Sequence, residues 1–342
     1  MNHFVILAGG SGQRLWPLST KKRPKHLIPF LENKSLLEQT IERINSSRTD
    51  KKIWILTNQE QLQLVKQHVN HLNVNVIAEP VARNTAPAIL WICNQIRAND
   101  YNATVIILPA DHFIPDKTIF NQTIEYAIKF AQDNPKIVTL GITPSSAATG
   151  YGYIQANMIA SSNIYPNVHP VVKFHEKPDI QAALQYVKQT DMFWNAGIFV
   201  GTASTFLNEF ESCSKKLFDA MQHFMRDKMD YADIENISVD YAVMEKSFNI
   251  CLIPANFEWY DVGNLAVFLS LKKRFEKTTE SIITIEGHNN LANTTKKLVV
   301  CVGVSDLCII ETADVILIAK NGCTENVKAA LTEVKKSHES TL

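Results

Sequence analysis

FVILAGGSGQRLWPLSTKKRPKHLIPF, residues 4–30, joins a short apolar run to three glycines and then to a cluster of fixed cations. Val5 to Ala8 reads as a buried parallel strand. Gly9, Gly10, Ser11 and Gly12 follow at once, where the scarcity of side chains brings backbone amides within reach of a ligand. No Asp or Glu occurs between Gly9 and Leu31, whereas Arg14, Lys21, Lys22, Arg23 and Lys25 all fall there, so the local field favours a polyanion. Two better known glycine motifs fail on spacing. A dinucleotide fingerprint from Gly10 and Gly12 needs its third glycine at Leu15, and a Walker loop from Gly9 puts its final Gly and Lys at Arg14 and Leu15. On these residues alone a phosphate cradle stands beside an ordinary strand-to-helix turn with a solvated basic face.

Downstream the pattern alternates. Ser35 and Glu38 form a capping box ahead of a helix over 35–46, and strands at 52–57, 74–78 and 104–109 are separated by helices at 59–69 and 85–97. This rhythm predicts an α/β fold with a Rossmann-like mixed, mostly parallel sheet flanked by helices, whose ligands sit outside the carboxyl ends of the strands. Further strands are expected at 137–141, 151–155, 171–175, through WNAGIFV and before Pro254. Helices are expected at 119–131, 180–188, 204–226, 239–246 and 265–275. From 281 to 320 the pattern shifts to short β segments, closed by a polar helix, so residues 1–276 are expected to form the main domain and residues 277–342 a small β-rich C-terminal domain.

The chain has 342 residues, 46% of them hydrophobic, which suffices for a large core. Lys plus Arg balances Asp plus Glu at 34 each, so a nucleic-acid or membrane-surface partner is not expected. No apolar run approaches the roughly 18 residues that span a bilayer, and a cytoplasmic protein is expected. The six cysteines show no CxxC pair and read as buried free thiols rather than a zinc site.

Several side chains carry candidate chemistry. Asp111, in VIILPADHF, emerges at a strand end, where it suits a magnesium ligand or a turn cap. Asp261, in EWYDVGN, completes such a metal site or caps the helix beginning near Asn264. Glu176 and Lys177, in FHEKPD, reach one ligand only if the strand bends at Pro178, and otherwise form a surface ion pair. Asn195 in FWNAGIFV and Gly152 in TGYGYI offer an amide and close backbone approach. In EPVARNTAPA, Asn84 or Thr85 caps a helix, and Glu79 is a carboxylate able to accept two hydrogen bonds from a guanine edge.

LAGGSGQRLWPLS, RPKHLIPF, AEPVARNTAPAI, LPADH, GYGYI, FHEKP, FWNAGIF, DYAVMEKS and WYDVGN, in this order, resemble the mannose-1-phosphate guanylyltransferases, also called GDP-mannose pyrophosphorylases, in the form without an isomerase domain. The resemblance runs to about Phe275, and GVSDLCIIETADVILIAK is similar to the family's C-terminal β segment. It implies transfer of GMP from GTP to mannose 1-phosphate, with release of pyrophosphate. By position in the shared motifs, Ala8, Gly9, Gly10, Gly12 and Arg14 would cradle the nucleotide phosphates and Lys25 the reacting phosphate. Asp111 and Asp261 would hold Mg²⁺, Lys177 the sugar phosphate, Glu176, Asn195 and Gly152 the sugar, and Glu79, Asn84 and Thr85 the base. A homodimer through the C-terminal domain is the macromolecular partner expected. The chain departs from the family pattern at Tyr260, Asn264 and Leu265, where WSDVGSW is usual, and at His26, where a Gln is common. Tyr260 would reshape the sugar pocket. The alternatives are another sugar 1-phosphate as substrate, or a non-catalytic GDP-sugar-binding regulatory homologue.

Overall fold

The computed structural model describes residues 1–10, 12–47, 50–160, 163–276, 282–294 and 297–337. Ser11 of the glycine loop, and residue 277, where the second domain is expected to begin, lie outside the described residues.

β1 (Asn2–Leu7) forms because Phe4, Val5 and Ile6 are each fully buried, with both strand faces covered. A small hairpin of β2 (Pro29–Leu31) and β3 (Lys34–Ser35) leads into α1 (Leu36–Asn45). The expected capping box is present: Glu38 N donates to Ser35 Oγ at 3.2 Å, and Ser35 N to the Glu38 carboxylate at 2.8 Å. β4 (Lys51–Asn58), α2 (Leu62–His68), β5 (Asn75–Glu79), α3 (Thr85–Asn99) and β6 (Thr104–Pro109) continue the alternation read from the sequence. After the short β7 (His112–Phe113), Asp116 caps α4 (Lys117–Asp133).

The middle of the chain holds β8 (Ile137–Ile142), β9 (Tyr153–Ala156), β10 (His169–His175), α5 (Ile180–Tyr186) and β11 (Met192–Thr202). The single helix expected over 204–226 is two, α6 (Ala203–Cys213) and α7 (Lys215–Phe224). Ser214 sits between them at φ −143° and ψ 57°, outside helical space. The helix expected over 239–246 is one π-helical turn, Asp240–Met244. β12 (Ile250–Pro254), β13 (Tyr260–Asp261) and α8 (Leu265–Phe275) close the main body.

One nine-stranded sheet runs in the order β5-β4-β1-β6-β11-β8-β12-β10-β9. It is mixed: β5, β4, β1 and β6 run parallel, and β11 enters antiparallel to β6. The glycine loop and Asp111 therefore leave the carboxyl ends of adjacent parallel strands, β1 and β6. Apolar clusters fill both faces of the sheet.

The C-terminal segment carries β14 (Ile282–Ile285), β15 (Leu291–Asn293), β16 (Val299–Val302), β17 (Leu307–Glu311), β18 (Ile316–Lys320) and α9 (Val327–Ser337). It is not a loose tail. A third cluster packs Leu15, Trp16, Leu265 and Phe268 of the main body with Cys308, Ile310, Val327 and Leu331. At about 25 cal/mol per Å² of apolar surface removed from water, such a cluster holds the domain against the glycine loop. Among the described residues no helix is long and apolar enough to cross a membrane.

Candidate active site

Two cavities of about 430 Å³ each open at the carboxyl ends of β1 and β6, and Leu7, Gly10 and Asp111 line both. The first also takes Gly9, Glu79, Asn84, Thr85, Gly152, Glu176, Asn195 and Asp261 into its wall, and the second Ala8, Gly12, Arg14 and Lys25. Of the residues expected from the sequence, Lys177 alone lines neither.

The glycine loop is shaped by a close approach. Gly12 has φ +64°, and a Cβ on it would lie 2.2 Å from Lys25 Cβ, so a side chain is excluded here by the chain's own return. Ser19 Oγ donates to Gly12 O at 2.7 Å and ties that return down. At Gly10 a Cβ would meet nothing within 4 Å, which leaves its backbone open to the cavity. Ala8 is differently placed: its N–H donates to Leu56 O at 2.8 Å, and its carbonyl accepts from Thr57 Oγ1 at 2.8 Å. It shapes the cavity floor with no amide left to offer.

Asp111 and Asp261 meet although 150 residues separate them. β7 and β13 pair antiparallel, with His112 opposite Asp261 and Phe113 opposite Tyr260. The Lys25 ammonium bridges the two carboxylates, 2.7 Å from Asp111 Oδ2 and 3.3 Å from Asp261 Oδ1. Burial pushes Asp111 up, but the Lys25 ammonium and His112 outweigh it and hold the carboxyl well below its usual range. Burial likewise works against the charged Lys25, yet Asp111 and then Asp261 keep its pKa raised. Neither aspartate caps a helix: Asp116 caps α4, and Asn264 caps α8 by accepting from Val267 N at 3.0 Å.

Two carboxylates that converge on one ammonium have the reach to share a metal ion. Among the described residues no group of three or more His, Cys, Asp or Glu side chains forms a complete ligand cage. The pair thus fits a divalent cation that takes its remaining ligands from phosphate oxygens and water.

At one wall of the first cavity, β10 ends at His175 and the chain turns, with Lys177 at φ +46°. That turn brings the two neighbouring side chains together, with Lys177 Nζ 2.6 Å from Glu176 Oε1. The Glu176 side chain is only 6% exposed, whereas that of Lys177 is 60% exposed at the rim. Gly152 lies close beside Glu176: a Cβ there would fall 2.7 Å from Glu176 Oε2 and push that carboxylate aside. In β11 the register shifts between Asn195 and Phe199 around Gly197 at φ +64°, a bulge that re-aims Asn195. Asn195 Nδ2 donates to Asp240 Oδ1 at 3.1 Å.

Asp240 is a site residue that the sequence reading left without a role. It lines the first cavity, and burial together with the Glu176 carboxylate raises its pKa to about 6. Its signal was the motif DYAVMEKS, and the π-helical turn supplies the unusual backbone. Tyr260 corrects an expectation. Strand alternation turns Trp259 and Asp261 into the cavity and Tyr260 away from it, where its hydroxyl donates to Glu258 Oε2 at 2.7 Å.

At another wall of the first cavity, Glu79 is buried, and Tyr231 Oη donates to its Oε2 at 3.0 Å. Burial raises the Glu79 pKa to about 7. Asn84, at φ +67°, accepts from Thr85 N, and Thr85 Oγ1 accepts from Val239 N at 2.9 Å, which fixes the mouth of α3.

The nucleotidyl transferase family model matches residues 3–278, and the MannoseP isomerase/GMP-like beta-helix domain model matches residues 280–334. Mannose-1-phosphate guanylyltransferase RfbM of Salmonella typhimurium is 33% identical over 97% of this chain and 72% of its own length. The alginate biosynthesis protein AlgA of Pseudomonas aeruginosa is 32% identical over 95% and 70% respectively. Among solved structures, mannose-1-phosphate geranyltransferase from Thermus thermophilus superposes with a TM-score of 0.83 at 25% identity, covering 98% of this chain and 99% of that one. The paired aspartates, the glycine loop and these matches agree: the chain belongs to the nucleotidyl transferase family, among its mannose-1-phosphate guanylyltransferases.

Proposed function

We propose that the chain transfers GMP from GTP to α-D-mannose 1-phosphate, giving GDP-mannose and pyrophosphate. The observation that carries this reading is the meeting of Asp111, Asp261 and Lys25 at the wall that Asp111 contributes to both cavities. The choice of guanine and mannose rests on the names of the relatives. The sugar phosphate is already mostly dianionic near neutral pH, its second pKa being about 6, so no protein base has to create the nucleophile. Catalysis then consists of positioning and charge neutralisation. Mg²⁺, held by Asp111 and Asp261, would supply positive charge to the phosphates. Lys25 orients the reacting phosphoryl group, and Arg14 and the Gly10 backbone hold the phosphate chain. Lys177 meets the sugar phosphate, Glu176 and Asn195 with Asp240 take the sugar hydroxyls, and Glu79, Asn84 and Thr85 face the base. The reading puts the reaction in the cytoplasm, where nucleoside triphosphates are made. It adds a second copy of the chain docked on the C-terminal domain, where Ile283, Ile285, Val300, Val302, Ile316 and Ile318 are exposed.

The test is pyrophosphate release with Mg²⁺ for GTP, ATP, UTP and dTTP against a panel of sugar 1-phosphates. GTP with mannose 1-phosphate should lead, and Asp111→Ala should lower turnover on the order of 100-fold or more. Unchanged release by that variant, or no turnover with any pair despite GDP-mannose binding, would sink the reading.

A further inference from the structure

The second cavity takes part of its wall from the far end of the chain. Lys328, in the first turn of α9, lines it together with Gly12, Arg14 and Lys25. The approach of α9 is fixed from two sides. Val327 and Leu331 are buried in the cluster with Leu15 and Trp16. Just before the helix, Glu325 accepts from Arg14 Nη1 at 3.1 Å and from Asn264 Nδ2 at 2.9 Å, which ties the C-terminal domain to both the glycine loop and the loop after Asp261. Lys328 itself has no ion-pair partner among the described residues. A cation in the first turn of a helix works against the helix dipole, and a bound anion offsets that cost. His26 lines the same cavity at 2% exposure, and its Nε2 finds no hydrogen-bond partner among the described residues. A buried orphan of this kind takes a water or a polar group of a ligand.

The two cavities differ in what lines them. Glu176 and Asn195 line only the first, and Arg14, His26 and Lys328 only the second. In an in-line displacement the attacking and leaving oxygens lie on opposite sides of the phosphorus. A sugar phosphate attacking from the first cavity sends its leaving group away from that cavity, and the second cavity is the one that shares Leu7, Gly10 and Asp111 with it.

Resting on the reaction read above, we propose that the C-terminal domain completes the leaving-group site, with Lys328 and His26 binding the β- and γ-phosphates of the triphosphate and the pyrophosphate that departs. The sugar-phosphate oxygen forms its bond to the α-phosphorus as the α-phosphorus to bridging-oxygen bond breaks. The electron pair leaves on pyrophosphate, where the Lys328 ammonium stabilises it without giving up a proton. Glu325 is a positioning residue that sets where α9 stands.

The experiment compares full-length Lys328→Met with wild type and Lys328→Arg. KM for GTP, and for pyrophosphate in the reverse direction, should rise about tenfold in Lys328→Met, while KM for mannose 1-phosphate and GDP-mannose moves less than about twofold, as for one lost charge-assisted contact. Lys328→Arg should recover most of the loss. Calorimetric titration with inorganic pyrophosphate alone repeats the comparison without turnover. Equal pyrophosphate affinity in wild type and Lys328→Met overturns the assignment, as does a matching rise in KM for GDP-mannose. A wild-type chain that binds pyrophosphate through Lys328, yet releases none from GTP with any sugar phosphate, supports this site and overturns the reaction reading instead.

Discussion

Burial holds the Glu79 carboxyl near pH 7, so its charge changes in the range where cells keep their nucleotides. A carboxylate accepts hydrogen bonds from a guanine edge better than a carboxylic acid does. At saturating mannose 1-phosphate, KM for GTP should therefore fall as pH rises from about 5.5 to 7.5 and level off above, and Glu79→Gln should flatten the profile. An unchanged slope in that variant would put the titration elsewhere, Asp240 at about 6 being the next group to test. The stability linkage has the opposite sign. Because the folded pKa is raised from 4.5, the stability gained from the neutral form is full below 4.5 and is lost as pH rises through about 7. Single residues were partly legible in the sequence. Gly12 read as room for a ligand, whereas its positive φ and the Lys25 side chain behind it are what forbid a Cβ. Tyr260 read as a pocket residue because the sequence did not reveal the two-residue strand that turns it outward.

At the scale of elements, periodicity and capping chemistry located most strands and helices, and they failed where the backbone departs from regular geometry. Nothing in the residues around Ser214 announces a break by Gly or Pro, and the π-helical turn at Asp240 has the apolar spacing of an ordinary helix. The bulge around Gly197 left its own signal, a glycine inside a strand. Asn264 is the element-scale residue most open to test. It replaces a small polar residue of the family pattern, caps α8 through its Oδ1 and bonds Glu325 through its Nδ2. Asn264→Ala should lower stability by about 1 kcal/mol, read from the urea midpoint. An unmoved midpoint would mean that the first turn of α8 is held by its apolar contacts alone.

For the whole molecule, the alternation of strand and helix was enough to place a ligand crevice at the carboxyl ends of β1 and β6. The C-terminal domain was legible as β-rich but not as part of the site, because Glu325 and Lys328 sit in a polar helical stretch without a motif. Its outer surface raises a separate expectation. Ile283 lies level with Val300, and Ile285 with Val302, across the parallel β14–β16 pair, and all four are exposed. An apolar sheet face of this kind is ordinarily covered. Light scattering on the purified chain should report a dimer, and Ile285→Lys with Val302→Lys should leave a monomer. A monomeric wild type would remove the second copy from the account.

The ladder that seats His112 opposite Asp261 also has a consequence in time. A nascent chain carries Asp111 long before Asp261 has been synthesised, and β8 to β12 lie between the two in sequence. Contacts between residues so distant along the chain form late, after the local helices and hairpins. The two carboxylates therefore reach a common ligand only after that ladder has closed, which makes the shared site a late product of folding.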